Sequence, residues 1–293
     1  MPFRVTSILA ATDLTPSAVP VLRSAAALAA LTDADLHVIH IVDVEPGSEV
    51  AALDEARKGL HEQLRSTLPA QSVVTRAQVE YGNPAEVILY QAQQADADLI
   101  VIGPHRRRDE QHELGATADR LVRTATMPCL IVHRMMSLPL RRVLIPTDFS
   151  DAASGALDLG LVWSTALRIP SGRGEATEVE VVYIREGRAG DDPGHELHAQ
   201  VEDACARTGC GHAFDIVEHV IDEDDAAAGI LRVAREHDVD LVVLGTHGEH
   251  ERRRERIGSV SSAVARDAGT PVLLAPPGYW AARREREAAL RGR

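Results

Sequence analysis

Short apolar runs alternate along the chain with longer amphipathic stretches. Residues 99–102 and 241–244 are continuously apolar, a pattern typical of strands buried on both faces of a parallel sheet. Thr15 followed by Pro16 predicts the start of a helix, with Thr15 as its N-cap. Each half of the chain contains five such strands with intervening helices. The pattern therefore predicts an α/β fold with a doubly wound parallel sheet, Rossmann-like, in each half.

Three segments of the first half return in the second half in the same order, with offsets that grow from 135 to 143 residues. The segments 7–13, 97–103 and 127–132 return as 142–148, 239–245 and 270–275. A conserved order with small insertions is what a duplicated domain would show. We therefore predict tandem five-stranded domains at residues 1–137 and 138–277, followed by a basic C-terminal tail at 278–293.

The last strand of each predicted domain, at 130–133 and 273–275, is apolar and would lie at a sheet edge. An apolar edge needs a cover, and a duplicated domain offers a matching edge. We therefore expect the two halves to pack through these strands about a pseudo-two-fold axis.

The formal net charge of −13 argues against nucleic acid or an anionic membrane surface as a partner. Apolar residues make up 45% and charged residues 26%, as in an ordinary soluble protein. The three cysteines are an odd number without a disulfide framework, which fits a reducing compartment. No apolar run is long enough to cross a bilayer. We therefore expect a cytoplasmic protein.

Two acids and two glycines follow corresponding strands of the two halves. Asp13 and Asp148 come after the first strand, and Gly103 and Gly245 come after the fourth. Ligands of doubly wound sheets bind beyond the carboxyl ends of the strands, where the strand order reverses. Each acid alone is as well explained as a loop carboxylate or a helix cap. Its recurrence beside the same glycine favours a binding site.

The segment after the fourth strand of the second half has two parts. They are Gly245-Thr246-His247-Gly248 and, nine residues later, Gly258-Ser259-Val260-Ser261. Glycines allow backbone N–H groups to approach an anion, and a helix that begins at the second part adds positive partial charge. The arginines between the two parts alternate with glutamates, so a solvated loop of mixed charge explains them equally well.

This spacing, Gly-x2-Gly-x9-Gly-Ser before a final Pro-Val-Leu-Leu strand, resembles the ATP-binding signature of the universal stress protein family. The resemblance covers residues 4–134 and 141–276. It implies that ATP, with or without magnesium, is the ligand and that Asp148 meets the adenine or ribose. The residues implied at the phosphates are Gly245, Gly248, Gly258, Ser259, Val260 and Ser261, with His247 either touching the phosphates or merely solvated.

The first half departs from this signature. Arg106 stands where the second glycine belongs, eight residues separate it from Gly115, and alanine replaces the serine. Pro104 also removes one backbone donor. Asp13, Gly103 and Gly115 are retained, so a nucleotide is not excluded there. We predict asymmetric occupancy, with ATP favoured in the second half.

Other site classes have weaker support in the sequence. Five residues could suggest a metal site, but the paired spacings of a zinc site are missing, so we expect no specific metal. These residues are His195, His198, Cys205, Cys210 and His212. The Gly-x-Ser-x-Gly, Gly-x4-Gly-Lys-Ser/Thr and His-Glu-x2-His motifs are absent. We therefore assign no catalytic residue.

The resemblance implies an ATP-binding regulator of the stress response. The alternatives are an interaction module that binds no nucleotide, and an enzyme that slowly hydrolyses ATP or phosphorylates itself. The expected partners are an adenine nucleotide, a second tandem chain in a homodimer and a protein that the sequence does not identify.

Two segments have plain structural interpretations. The acidic run 221–225 replaces the Gly-Asn-Pro turn of the first half, and we predict a solvated loop in which an Asp caps the next helix. The tail 278–293 has high helix propensity and Trp280 as an anchor, with disorder as an equal alternative.

Overall fold

The computed structural model describes residues 4–43, 49–70, 72, 74–104, 114–168, 177–187, 192–210, 213–246 and 257–291. The chain divides into two compact units after Met136.

The first unit is a parallel sheet with the strand order β3-β2-β1-β4-β5. Its strands are β1 (Ser7–Thr12), β2 (Asp35–Val42), β3 (Arg76–Tyr81), β4 (Leu99–Ile102) and β5 (Cys129–Ile131), and its helices are α1 (Val19–Thr32), α2 (Glu49–Thr67), α3 (Pro84–Gln94) and α4 (Ala116–Thr124). The central strand β1 pairs with β2 on one side and with β4 on the other, and its side chains are almost all buried. The strand order therefore reverses between β1 and β4.

The second unit repeats this plan with the order β8-β7-β6-β9-β10, again all parallel. Its strands are β6 (Arg142–Thr147), β7 (Glu178–Glu186), β8 (Asp215–Glu223), β9 (Leu241–Gly245) and β10 (Val272–Ala275), and its helices are α5 (Asp151–Leu167), α6 (Gly194–Thr208), α7 (Ala226–Glu236), α8 (Ser259–Asp267) and α9 (Tyr279–Arg291). The prediction of tandem doubly wound parallel sheets is confirmed.

The first helix begins differently from its prediction. Residues Pro16–Ala18 form a 3₁₀ turn, and α1 begins only at Val19. Thr15 caps neither element with its side chain, because its hydroxyl donates to Asp13 Oδ1 at 2.7 Å. Thr15 does occupy the predicted N-cap position, with Pro16 as the first residue after it, but it begins a 3₁₀ turn and makes no capping side-chain hydrogen bond. In the second unit, by contrast, the Ser150 hydroxyl accepts the N–H of Ala153 at 3.2 Å and caps α5.

The acidic run is mostly strand, which corrects the predicted loop. Strand β8 continues through Glu223, because Asp222 forms two hydrogen bonds to the guanidinium of Arg185 on the neighbouring strand, at 2.5 and 2.9 Å. The hydrogen bond and the charge of Arg185 lower the pKa of the Asp222 carboxyl. Asp225 accepts the N–H of Ala228 at 2.7 Å, so the prediction that an Asp caps the next helix is confirmed.

The C-terminal tail is helical over Tyr279–Arg291 and packs against α5. Trp280 is partly buried. Helix α5 is in turn buried around most of its circumference. It carries Asp158, whose side chain is only 9% exposed. Arg207 from α6 pairs with this carboxylate through three hydrogen bonds of 2.9–3.2 Å. A charge inside the α/β layer is thereby compensated.

Candidate functional site

Asp148 lies in a tight turn at the carboxyl end of the central strand β6. Its Oδ1 accepts the N–H of Ser150 at 3.1 Å and the hydroxyl of Ser150 at 2.5 Å. Thr147 Oγ1 accepts the N–H of Phe149 at 3.1 Å. Phe149 has a φ of 64°, a left-handed conformation that costs a bulky residue energy. The turn holds the exposed Asp148 where the strand order reverses between β6 and β9.

The first unit contains the same turn. Leu14 has a φ of 62° and donates its N–H to Thr12 Oγ1 at 3.1 Å. Asp13 Oδ1 accepts the N–H of Thr15 at 2.9 Å as well as its hydroxyl. Asp13 therefore lies in the same turn geometry as Asp148, although it is less exposed.

An aromatic stack lies beside the turn in the second unit. The ring of Phe149 stacks on Tyr183 with 4.7 Å between centroids and 18° between planes. Tyr183 is the register partner of Thr147 on β7. The register partner of Thr12 in the first unit is His40, whose Nδ1 is 2.8 Å from the Thr12 carbonyl oxygen. The aromatic stack of Phe149 on Tyr183 is thus specific to the second unit.

Gly245 ends β9 and is buried against α5. A Cβ at this position would lie 2.8 Å from the carbonyl oxygen of Ala152. Real Cβ atoms essentially never lie that close to another atom. Close packing of helix on strand therefore explains this glycine without any ligand. Gly103 ends the corresponding segment of the first unit and is partly exposed.

We expect Gly245→Ala to lower the free energy of unfolding by about 1–3 kcal/mol, because the added methyl group must displace helix backbone. Gly269→Ala is the control, since a Cβ there meets no atom within 4 Å. Chemical denaturation of both variants measures the difference. Equal stability of the two variants would show that the packing explanation is wrong.

Helix α8 begins without a capping side chain. The N–H of Gly258 donates to the carbonyl oxygen of Thr246 at 2.8 Å, which fixes the approach to the helix. The N–H groups of Ser259, Val260 and Ser261 belong to the first turn, where a helix supplies them with no carbonyl. This turn carries no acidic residue, and Ser259 is exposed. The arrangement suits an anion.

Ser261 has a different role from Ser259. Its side chain is buried, and its hydroxyl donates to the carbonyl oxygen of Gly245 at 2.6 Å. This hydrogen bond ties the first turn of α8 to the end of β9. The Ser259 hydroxyl is therefore the better side-chain donor for a ligand.

Helix α4 of the first unit starts with the same backbone but different chemistry. Gly115 has φ −54° and ψ 141°, the values of Gly258, and donates to the carbonyl oxygen of Pro104 at 3.2 Å. Ala116 replaces the exposed serine, and Asp119 adds an acid to the first turn. A negative charge near this end disfavours an anion, although Arg123 pairs with Asp119 at 2.9 Å and offsets part of that charge. The first unit therefore retains the loop closure but has less favourable electrostatics.

Some predicted residues lie outside the part of the chain that the structure describes. They are His247, Gly248, Arg106, the arginines between the two glycine segments, and His212.

Among the other candidate metal ligands, His198 has an ordinary hydrogen-bond partner. His198 Nδ1 lies 3.1 Å from Glu218 Oε1, a hydrogen bond that raises the pKa of His198. Cys205 and Cys210 are free thiols, and burial raises the pKa of Cys205. Within the described ranges, no group of three or more His, Cys, Asp or Glu side chains is arranged to hold a metal ion. The expectation of no specific metal stays a prediction.

The described residues also contain no helix with the length and apolar character needed to cross a membrane.

The model of the universal stress protein family matches residues 5–133 and 139–276. The chain belongs to the universal stress protein family. Universal stress protein G of Salmonella typhimurium is 31% identical over 110 residues, which cover 33% of this chain and 78% of that protein. The matched ranges include both turns and both helix starts, so each unit is a universal stress protein domain.

Solved structures agree with this assignment at the level of the fold. A universal stress protein from Archaeoglobus fulgidus has a TM-score of 0.69 at 20% identity, and the match covers 94% of this chain and 98% of that one. Another from the same organism, in complex with dAMP, is 21% identical, with a TM-score of 0.36 and coverage of 45% of this chain and 99% of that one.

The strand-end acids and the helix start were predictable from sequence, whereas two neighbours of Asp148 were not. Tyr183 lies 35 positions away on another strand. Gln200 on α6 contacts Thr147 with no motif around it. The repeated Thr before each Asp was the one available signal, since Thr12 and Thr147 correspond.

Proposed function

We propose that this protein is a nucleotide-dependent regulator of the stress response that binds ATP in its second unit. The observation that carries the proposal is the start of α8. No side chain caps the first turn of α8, the turn carries no acidic residue, and Ser259 in it is exposed. Phosphate oxygens would accept hydrogen bonds from this turn and gain from the helix dipole.

The nucleoside would lie across the neighbouring strand. β6 pairs directly with β9, and hydrogen bonds from Gly258 and Ser261 tie the start of α8 to the end of β9. The turn of Asp148 and the start of α8 therefore lie at the ends of adjacent strands. Adjacent strands are about 5 Å apart, a separation that one nucleotide can span. The Asp148 carboxylate would accept hydrogen bonds from the ribose or adenine. The stack of Phe149 and Tyr183 would offer the base an apolar surface.

The same reasoning favours asymmetric occupancy. The first unit retains Asp13 in the same turn, but it lacks the serine, and Asp119 lies in the first turn of α4. A first unit that binds no nucleotide would act as an interaction module for another protein. This is the second class of function that the sequence allows. We propose further partners as well: a second tandem chain and a protein that reads the nucleotide state. The three free cysteines support a cytoplasmic location.

Calorimetric titration of the purified protein with ATP, with and without magnesium, tests the proposal. We expect one site per chain and a loss of about ten-fold in affinity for Asp148→Ala, because a hydrogen bond to a charged group is worth about 1.5–3 kcal/mol. The matched control Asp13→Ala should bind ATP like wild type. Because the family signature implies that Gly248 meets the phosphates, we expect Gly248→Val to lose most of the affinity.

Loss of binding in Asp13→Ala, together with normal binding in Gly248→Val, would mean that the nucleotide occupies the first unit. A protein that binds no ATP at all would favour the interaction module. Release of phosphate during the titration would favour the slow enzyme.

A further inference from the structure

In each unit a glutamine from the second helix hydrogen-bonds to the threonine that precedes Asp148 or Asp13. We call this contact the glutamine clamp. In the second unit Gln200 of α6 accepts the hydroxyl of Thr147 through Oε1 at 2.7 Å. Its Nε2 donates to Ser154 Oγ on α5 at 2.9 Å. In the first unit Gln63 of α2 accepts the hydroxyl of Thr12, also at 2.7 Å. The contact recurs in two units whose sequences differ around it, so it is a built feature of the turn.

The Thr147 hydroxyl that contacts Gln200 both donates and accepts a hydrogen bond. Thr147 Oγ1 donates to Gln200 and accepts the N–H of Phe149 at 3.1 Å. Thr147 is only 7% exposed, so water is a poor substitute for either partner. Phe149 keeps its left-handed conformation at a cost of about 1–2 kcal/mol, which these hydrogen bonds offset.

Asp148 lies between the two residues that this network restrains. Without Gln200, the Thr147 hydroxyl would turn to another acceptor and the Phe149 N–H would lose its aligned partner. Phe149 would then relax toward ordinary backbone angles, and the Asp148 carboxylate would move with it.

We propose that Gln200 is a positioning residue for the nucleoside half of the bound nucleotide. It acts through Thr147 and holds the Asp148 turn in its binding geometry. This inference rests on the proposed function. The start of α8 is held separately, by the Gly258 and Ser261 hydrogen bonds to Thr246 and Gly245. Loss of the clamp should therefore affect recognition of the nucleoside and leave recognition of phosphate unchanged.

The test compares ATP with inorganic tripolyphosphate, which has the phosphates but no nucleoside. The variants are Gln200→Met, Thr147→Val, the double variant and the conservative Thr147→Ser. We expect Gln200→Met and Thr147→Val each to weaken ATP binding roughly five-fold, the effect of one hydrogen bond. Tripolyphosphate affinity, measured by competition with ATP, should stay the same. Thr147→Ser should bind like wild type, and the double variant should be no worse than either single variant.

Gln63→Met is the control, because it removes the corresponding Thr12 contact from the first unit, where Gln63 Nε2 donates to the Thr15 carbonyl oxygen at 3.0 Å. It should lower the unfolding midpoint as much as Gln200→Met does, with no change in ATP affinity. Unchanged ATP affinity in Gln200→Met, or equal losses for ATP and tripolyphosphate, would overturn the positioning role while the proposed function stands. A wild-type protein that binds no ATP would overturn both.

Discussion

Replacing Ser259 by proline should weaken ATP binding by at least a hundred-fold and leave the fold intact. The change removes two donors, the Ser259 N–H and its hydroxyl, and a hydrogen bond to a charged group is worth about 1.5–3 kcal/mol. Ser259 is the first residue of α8, the position where proline is tolerated best. Gly258 before it has a ψ of 141°, the extended conformation that a following proline requires.

Ala116→Pro is the matched control, because Ala116 follows Gly115 at the start of α4 with the same backbone angles. It should leave ATP affinity unchanged. Ser259→Ala keeps the N–H and removes only the hydroxyl, so about a ten-fold loss is expected. Calorimetry on the three variants, with circular dichroism to check folding, gives the result. Equal losses in Ser259→Pro and Ala116→Pro would mean that both units bind, and no loss in either would place the phosphates elsewhere.

Replacing Arg207 by alanine should lower the free energy of unfolding by about 3 kcal/mol, since it leaves a buried carboxylate without its partner. Asp158 has 9% of its side chain exposed and receives three hydrogen bonds from Arg207. No other arginine–carboxylate contact within the described residues combines that degree of burial with three hydrogen bonds. Urea denaturation measures the effect.

Arg232→Ala separates burial from the number of ion pairs. Arg232 contacts both Glu223 and Glu236, at 2.7 and 2.8 Å, but these carboxylates are 31% and 51% exposed. Solvent screens exposed ion pairs strongly, so the loss should be smaller than for Arg207. The double change of Arg207 to Met and Asp158 to Asn should recover most of the stability. A larger loss in Arg232→Ala than in Arg207→Ala would contradict this account.

The two units have diverged at the starts of α4 and α8 more than at the turns that contain Asp13 and Asp148. The turn of Asp13 keeps the Asp, Thr and glutamine hydrogen bonds of the turn of Asp148, although it lacks the serine cap of the following helix. Helix α4, by contrast, has an alanine and an acid where α8 has serines. The turn therefore has a structural value of its own, because it connects the central strand to the first helix. An intact Asp turn by itself is weak support for a bound nucleotide, whereas the helix start discriminates between the units.

The sequence by itself determined the doubly wound fold, the duplication and the family. Strands buried on both faces of a parallel sheet must be continuously apolar, and such runs, separated by amphipathic helices, are visible without coordinates. The strand-end acids and the helix that begins after Gly258 were predictable for the same reason, since they follow local patterns. The acidic run 221–225 was predicted as a loop because acidic residues are uncommon in strands. The ion pair of Asp222 with Arg185 on β7 was not visible in that pattern.

Only the tertiary structure decided what surrounds Asp148 and why Gly245 is a glycine. Gln200 is 53 residues from Thr147, and Gln63 is 51 from Thr12. Whether such side chains meet depends on how closely helix and strand approach, at a scale of a few tenths of an ångström. The clash of a Cβ at Gly245 with Ala152 depends on the same distance. Local periodicity indicates which face of an element is buried, but it does not encode which atoms of a distant element lie against that face.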